Sequence, residues 1–153
     1  MIKLKDILEE LFGSSKFSLG FNINTPVANV IKLGRSPSGN IFLNFNENSI
    51  REGRSPSGDI LLTIDRDKIR LGRSPSGRIL ARFVNPFVRL GESQTGKVIA
   101  NIDSSNRVRE GRSPSGDILA TVIVAKREKT DAKMAGAAAA VYLFTKNMIR
   151  IIE

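Results

Sequence analysis

Four arginines occupy the same place in four copies of one hexapeptide, and their side chains have the clearest chemical potential in this chain. The hexapeptide Gly-Arg-Ser-Pro-Ser-Gly begins at residues 34, 53, 72 and 111. A guanidinium donates paired hydrogen bonds to phosphate or carboxylate oxygens. If the copies lie side by side, their arginines form one rim that could bind an anion. These candidate anion-binding residues are Arg35, Arg54, Arg73 and Arg112.

A simpler interpretation of the same arginines is that each one flanks a turn and is solvated, or pairs with the nearby Asp59 or Asp117. A second basic series lies one strand earlier, where side chains on the wetter face of a strand are usual. A third, aliphatic series could form an outer apolar belt for self-association or be covered by an N-terminal helix. The basic series is Lys32, Arg51, Arg70, Arg89 and Arg109, and the aliphatic series is Leu61, Leu80, Ile99 and Leu119.

The residue types that are missing exclude several kinds of chemistry. The chain has no cysteine and no histidine, which rules out disulfides, thiolate metal sites and catalysis by Ser-His-Asp or Cys-His groups. Asp65 and Asp67 form an exposed turn pair without the further oxygen ligands that calcium needs. The glycines belong to turns and match no phosphate-loop or dinucleotide motif. We therefore predict that the protein is not an enzyme and has no catalytic residue, cofactor or metal site.

The charge of the chain favours acidic partners. The formal net charge is +9 and the isoelectric point is near 10.4, which suits nucleic acid, anionic polymers or lipid headgroups. Proteins that bind single strands usually add stacking aromatic residues, and this chain has one tyrosine and no tryptophan. Nonspecific nucleic-acid binding is therefore an alternative with less support from the sequence.

The hexapeptide is part of a longer repeat. With a degenerate fifth copy at residues 91–96, the copies start at 34, 53, 72, 91 and 111, a spacing of 19, 19, 19 and 20 residues. Such a period indicates an array of one small unit whose copies bury each other's apolar faces. Ser-Pro-Ser-Gly is typical of a type I turn that ends in a left-handed glycine and a G1 bulge. Alternating runs such as Ile60–Ile64 follow it, so each unit is predicted to be one antiparallel hairpin.

The two ends of the chain differ from the repeats. In residues 1–13 charged residues interrupt the apolar ones, which predicts a short amphipathic helix and not a signal peptide, so a cytoplasmic location is the default. Residues 17–22 resemble residues 41–46 and supply a further strand. The repeats at 16–125 then contain about eleven strands of about five to seven residues. The further strand could pair with the last one and remove an exposed edge.

The C-terminal segment at 130–150 is predicted to be a helix. Thr130-Asp131 offers an N-cap, and residues 134–144 are apolar on every side. This run is too short for a membrane span, which needs about 20 residues. A helix without a polar face should be surrounded, so we predict one domain, 1–153, in which a ring or barrel of five pseudo-symmetric hairpins encloses this alanine-rich helix. The alternative is that the helix packs across one open face or joins a dimer.

The repeat and the helix together resemble a known family. The unit Gly-Arg-Ser-Pro-Ser-Gly followed by residues 59–65, with Ile69-Arg70 returning to Gly72, and the terminal alanine-rich helix are similar to the bacterial β-flower proteins of five-fold type. In that family, hairpin petals surround an axis. The resemblance covers about residues 17–145 and implies a fold and a bacterial origin, with no established activity and no catalytic residues.

The sequence therefore predicts a non-enzymatic structural or interaction module that presents a basic ring of hairpin tips. The alternatives are an anion or small-molecule binding protein that uses the arginine rim, and a nonspecific nucleic-acid binder. The partner is unknown, and an anionic ligand or macromolecule, or a second copy of the chain, would fit.

Overall fold

Ten antiparallel strands close into a barrel in the computed structural model, which describes residues 29–36, 38–124 and 131–146. One helix, α1 at Ala132–Thr145, follows the strands. The strands are β1 Asn29–Leu33, β2 Ile41–Asn46, β3 Ser49–Glu52, β4 Ile60–Asp65, β5 Lys68–Leu71, β6 Ile79–Val84, β7 Phe87–Leu90, β8 Val98–Ile102, β9 Arg107–Glu110 and β10 Ile118–Ile123. The predicted mainly β fold is confirmed, with ten described strands where about eleven were expected. The N-terminal helix at 1–13 and the strand at 17–22 lie outside the described residues.

The barrel closes through β1 and β10, with the same register as its internal pairs. Each strand pairs with its neighbours in sequence, and β1 pairs with β10. In that seam Thr121 lies opposite Lys32, as Thr63 lies opposite Arg70 between β4 and β5. Five equivalent hairpins therefore form one continuous ring, as predicted, and β1 itself covers the edge of β10.

The two ends of the barrel carry different connections. Hexapeptide tips join β1 to β2, β3 to β4 and so on at one end, and short turns join the hairpins to each other at the other end. Four residues separate the paired Ile64 and Ile69 in the β4–β5 turn, whereas five separate Ile102 and Val108 between β8 and β9. This one extra residue accounts for the single spacing of 20 in the sequence repeat.

A β-bulge in each tip hairpin turns one extra residue toward the core. In β3–β4, Ile50 lies opposite Leu62 and Arg51 lies opposite Ile60, so Leu61 is the additional residue. A bulge changes the side to which following side chains point. The expected outer apolar belt is wrong for this reason, because its members pack into or against the core. Ile99 is fully buried, and the residues packed against the core are Leu61, Leu80 and Leu119.

Helix α1 fills the barrel along its axis. Asp131 caps its first turn by accepting a hydrogen bond from the Lys133 backbone N–H at 2.9 Å. Every residue from Met134 to Leu143 is buried, and α1 touches strands around the barrel, including β4, β6, β8 and β10. The predicted central helix is confirmed, and so is its N-cap. Residues 147–150, into which the prediction extended it, lie outside the described residues.

Contacts at both ends fix the direction of α1. The Lys133 Nζ donates to the Asp103 backbone oxygen at 3.1 Å, at the end with the short turns. The Tyr142 ring lies 5.7 Å from the Phe42 ring, at the end with the tips. The helix therefore runs from the turn end to the tip end. Within the described residues, no helix is both long and apolar enough to cross a membrane.

The fit of α1 in the barrel predicts a steep response to added volume. Ala138 is fully buried, so Ala138→Leu should overpack the axis, cost about 1–3 kcal/mol and lower the melting temperature. Thr145→Leu, at an exposed position of the same helix, should change it little. Thermal unfolding followed by circular dichroism measures both. An unchanged melting temperature for Ala138→Leu would mean that the helix has an open side.

Candidate functional site

Each hairpin tip is a tight turn held by its own serines. In the second tip, the Gly58 N–H donates to the Ser55 backbone oxygen at 2.9 Å, and the Ser57 N–H donates to Ser55 Oγ at 3.1 Å. The two hydroxyl oxygens are 2.9 Å apart. The other tips repeat these bonds, and Ser93 and Thr95 make them in the degenerate copy. The Ser-x-Ser/Thr pattern is therefore explained by the turn itself.

The two glycines of each tip have different structural reasons. The closing glycine was expected to be left-handed, and this is wrong, because positive φ occurs at the first glycine, for example 78° at Gly53. The closing Gly58 is needed because a Cβ there would lie 2.5 Å from the Glu52 backbone oxygen. Most residues avoid positive φ, and no side chain fits at the second position. Both ends of the hexapeptide are therefore restricted to glycine.

The second basic series clamps the tips. Arg51 Nη1 donates to the Gly58 backbone oxygen at 2.7 Å, and Arg70 Nη1 makes the same bond to Gly77. Arg89 and Arg109 repeat it at 2.9 and 2.8 Å. Beyond their expected place on the wetter face of the strands, these four arginines bond to the closing carbonyl of a tip, which folds back over the strand that precedes it. Such a neighbour is not visible in the local sequence.

The preceding unit supports four of the five tips from the side. Asn44 Nδ2 donates to the backbone oxygens of Gly53 and Ser55, both at 2.9 Å. Asn101 makes the same pair of bonds to the last tip, and Thr63 donates to the Gly72 oxygen. Thr121 Oγ1 donates to the Gly34 oxygen at 2.8 Å and so continues the pattern across the seam. The sequence showed a polar residue at this strand position in every unit, but not that the Asn and Thr side chains are buried.

The four candidate arginines lie on these tips and take no part in the turn bonds. All four are exposed. Within the described residues, Arg35, Arg54 and Arg73 make no hydrogen bond or ion pair, so no pairing with Asp59 or Asp117 is seen. The Arg112 guanidinium lies 5.4 Å from the centre of the Phe87 ring. In the remaining tip the corresponding residue is Glu92.

The spacing of the tips limits what they could bind together. Adjacent tips are two strands apart, which corresponds to about 10 Å along the sheet. One small anion would therefore meet a single tip, whereas an extended polyanion or an acidic surface could contact several. The structure brings the arginines to one end of the barrel but not to one point.

Two carboxylates at the turn end are tied to the second basic series. Asp65 accepts a hydrogen bond from Arg70 Nε at 2.9 Å, and this bond, against a smaller opposing effect of burial, lowers the pKa of Asp65. Burial alone would raise the pKa of Asp103, but hydrogen bonds from the Arg107 backbone and the Arg109 side chain help to bring it below 3.8. At neutral pH both carboxylates are ionised and hydrogen-bonded to arginine, so their role is structural.

Tyr142 and the aspartates of the β4–β5 turn are also engaged. Burial, assisted by the charge of Glu52, raises the pKa of Tyr142 to about 12, so this phenol stays neutral. Asp65 bonds to arginine and Asp67 lies 3.6 Å from Arg82 Nε. Among residues 29–36, 38–124 and 131–146, no group of three or more acidic side chains could hold a metal ion.

The comparisons with known proteins agree with the architecture. A family model described as "6-fold beta flower protein" matches residues 31–148. This span runs from β1 to the residues after α1, and the barrel within it carries five hairpin tips. No curated protein and no solved structure matches the chain.

The side support of the tips predicts a large effect of a small substitution. Asn101 is 4% exposed, and Asn101→Ala would leave the Gly111 and Ser113 oxygens without a donor, at a cost of about 1–3 kcal/mol. Asn46→Ala, at an exposed strand end, is the matched control and should have little effect. Urea unfolding of the two variants gives the comparison. Equal stabilities would show that solvent replaces the Asn101 bonds without loss.

The Asp103 bonds predict a defined dependence on pH. Because the folded-state pKa of Asp103 is below 3.8, its stabilisation is complete well above that value and is lost as the pH falls through the folded-state pKa. Asp103→Asn should therefore lower the melting temperature at pH 7 and flatten its decline in acid. Asp59→Asn removes the same charge from an exposed residue and should keep the wild-type decline. The prediction fails if the two variants show the same acid profile.

Proposed function

This chain belongs to the 6-fold beta flower family, and from that premise we propose that it is a non-enzymatic interaction module. It contacts an acidic macromolecule or surface through the exposed arginines of its hairpin tips. The proposal rests on the one hexapeptide residue that has no role inside the tip. Gly, Ser and Gly are required by the turn, whereas the arginine is exposed on four tips and makes none of the turn bonds.

The degenerate tip supports this separation of roles. It carries Glu92 and Gln94 where the other tips have arginine and proline. It nevertheless makes the same turn bonds, with Gly96 N–H donating to the Ser93 oxygen at 3.3 Å. The fold therefore tolerates a residue of opposite charge at the arginine position. A contact outside the fold explains why the other four copies share a cation there.

The character of the partner follows from spacing and charge. Tips about 10 Å apart suit a ligand with several negative charges along its length, and the net charge of +9 adds attraction at longer range. A single small anion held by the rim is the second candidate, and the described geometry favours it less.

Catalysis has little support from the available side chains. The sequence contains no histidine or cysteine. Tyr142 is held neutral by its raised pKa, and Asp65 and Asp103 are held by arginine bonds. These groups lack the protonation states and freedom that general acid–base catalysis needs at neutral pH.

The test compares two ways of removing the same charge. Arg54→Ser with Arg73→Ser removes two tip arginines, and Arg66→Asn with Lys146→Gln removes two exposed cations elsewhere. With polyglutamate and polyphosphate as probes in isothermal titration calorimetry, the tip variant should bind roughly fivefold to tenfold more weakly than wild type. The control variant should lose much less.

Two results would contradict the proposal. Equal losses in the tip and control variants would mean that binding follows net charge alone. Absence of wild-type binding to both probes at low salt would remove the tips as a polyanion contact. Competition by inorganic phosphate at matched ionic strength reports on the second candidate, the small anion, because only a true small-anion site is occupied by it.

A further inference from the structure

One unit departs from the pattern of side support for the tips. Four of the five equivalent strand positions hold Asn or Thr, and each donates to the first glycine carbonyl of the next tip. The fifth position is Arg82, below the degenerate tip, and the structure shows no such bond from Arg82 to Gly91. Arg82 forms an ion pair with Asp67 instead, which leaves the Gly91 oxygen without the side-chain donor that the other units supply.

Arg82 also places three cations in one row on the outer wall of the barrel. Lys68 on β5 lies directly opposite Arg82 on β6, and Arg82 lies directly opposite Arg89 on β7. Opposed residues of antiparallel strands project to the same face, and like charges in such pairs are destabilising. In the neighbouring unit the corresponding row is Ser49, Thr63 and Arg70. A neutral residue there keeps the charges apart.

Two donors in this row have no acceptor. The Nε atoms of Arg82 and Arg89 are buried without a hydrogen-bond partner in the described structure, as is the Nε of Arg51 in the first unit; only in this row do two such atoms lie on directly opposed residues. In two other units the corresponding Nε donates to a carboxylate at 2.9 Å, as in the pairs Arg70–Asp65 and Arg109–Asp103. Val84 occupies the carboxylate position beside Arg89. An unpaired buried donor lowers the stability of the fold. This wall is therefore destabilised by unpaired donors as well as by repulsion between like charges.

Few negative groups offset the row. Asp67 lies 3.6 Å from Arg82 Nε, close enough for an ion pair but beyond a good hydrogen bond. The Arg89 guanidinium lies 5.5 Å from the centre of the Phe87 ring and also bonds to the Gly96 oxygen. Lys68 makes no ion pair within the described residues. The Arg82 side chain is 20% exposed, so the row can be reached from solvent while part of it is screened from water.

We propose that Lys68, Arg82 and Arg89 form a binding site for a small tetrahedral oxyanion of the phosphate class, the wall site. Such an anion would accept hydrogen bonds from both guanidiniums and offset the repulsion of three opposed cations. It would thereby remove the costs that the unliganded wall carries. This site is on the side of the barrel and uses none of the tip arginines, so it is independent of the proposed function. Inorganic phosphate and the phosphate of a small monoester share the required chemistry.

The experiment measures melting temperature with and without phosphate at matched ionic strength, with chloride as the reference salt. At a phosphate concentration about ten times Kd, the wild-type melting temperature should rise by roughly 5 °C more than in chloride. Arg82→Thr, which copies Thr63 and Thr121, should lose this rise. Without phosphate the same variant should melt higher than wild type, because it restores the bond to the Gly91 oxygen and separates the charges.

Matched variants separate this site from other effects. Arg66→Asn removes a charge whose side chain is 78% exposed and should keep the full rise, as should Arg54→Ser with Arg73→Ser. Lys68→Ser, which copies Ser49, should reduce the rise and serves if Arg82→Thr does not fold. A parallel series with glycerol phosphate shows whether the site accepts a phosphate monoester as well as inorganic phosphate. A rise in melting temperature with either anion supports the site. A full rise in both Arg82→Thr and Lys68→Ser, or no wild-type rise with either probe, would overturn it.

Discussion

The structure depends on one constraint, which is that α1 has no polar face and must be covered on all sides. Every residue from Met134 to Leu143 is buried, so a single sheet or a neighbouring helix could not satisfy it. A closed barrel can. Ten strands leave an axial space wider than their own side chains fill, and the small residues of α1 occupy that space. The helix thus needs the barrel to cover it, and the barrel needs the helix to fill its interior.

The second feature that holds the molecule together is the ring of polar bonds on its outer side. Four tips are bonded by an arginine of their own unit. Four are bonded by an Asn or Thr of the unit before them, the exception being the tip that follows Arg82. The Thr121–Gly34 bond carries this arrangement over the seam between the first and last strands. Rigid tips follow from it, and so does the exposure of the residue that each tip presents. Because other polar side chains fix the turns, the tip arginines stay available to a partner.

Much of this could be predicted from the sequence, because the relevant signals were local and repeated. The 19-residue spacing predicted the hairpins, the apolar helix predicted closure, and Thr130-Asp131 predicted the N-cap. Apart from the glycine of each tip that has positive φ, the misses involve neighbours from elsewhere in the fold. The bulge at Leu61 appears only when β3 and β4 are paired, and the Arg51 bond appears only when the Gly58 carbonyl returns over the strand. In the sequence Arg82 is one polar residue of its strand among others. Its two basic neighbours, Lys68 and Arg89, appear only when the strands are paired.

The register of the β10–β1 seam has a consequence for how such rings can change size. Since the seam repeats the pairing of the covalently linked turns, another hairpin could be spliced in without altering any bond between existing neighbours. Strand pairing therefore does not fix the number of hairpins in the barrel. The alanines of α1 fix it, because the width of the helix must match the width of the barrel interior. A barrel with one more hairpin would need a wider axial helix. Gain of a hairpin and enlargement of the side chains of α1 must therefore be inherited together.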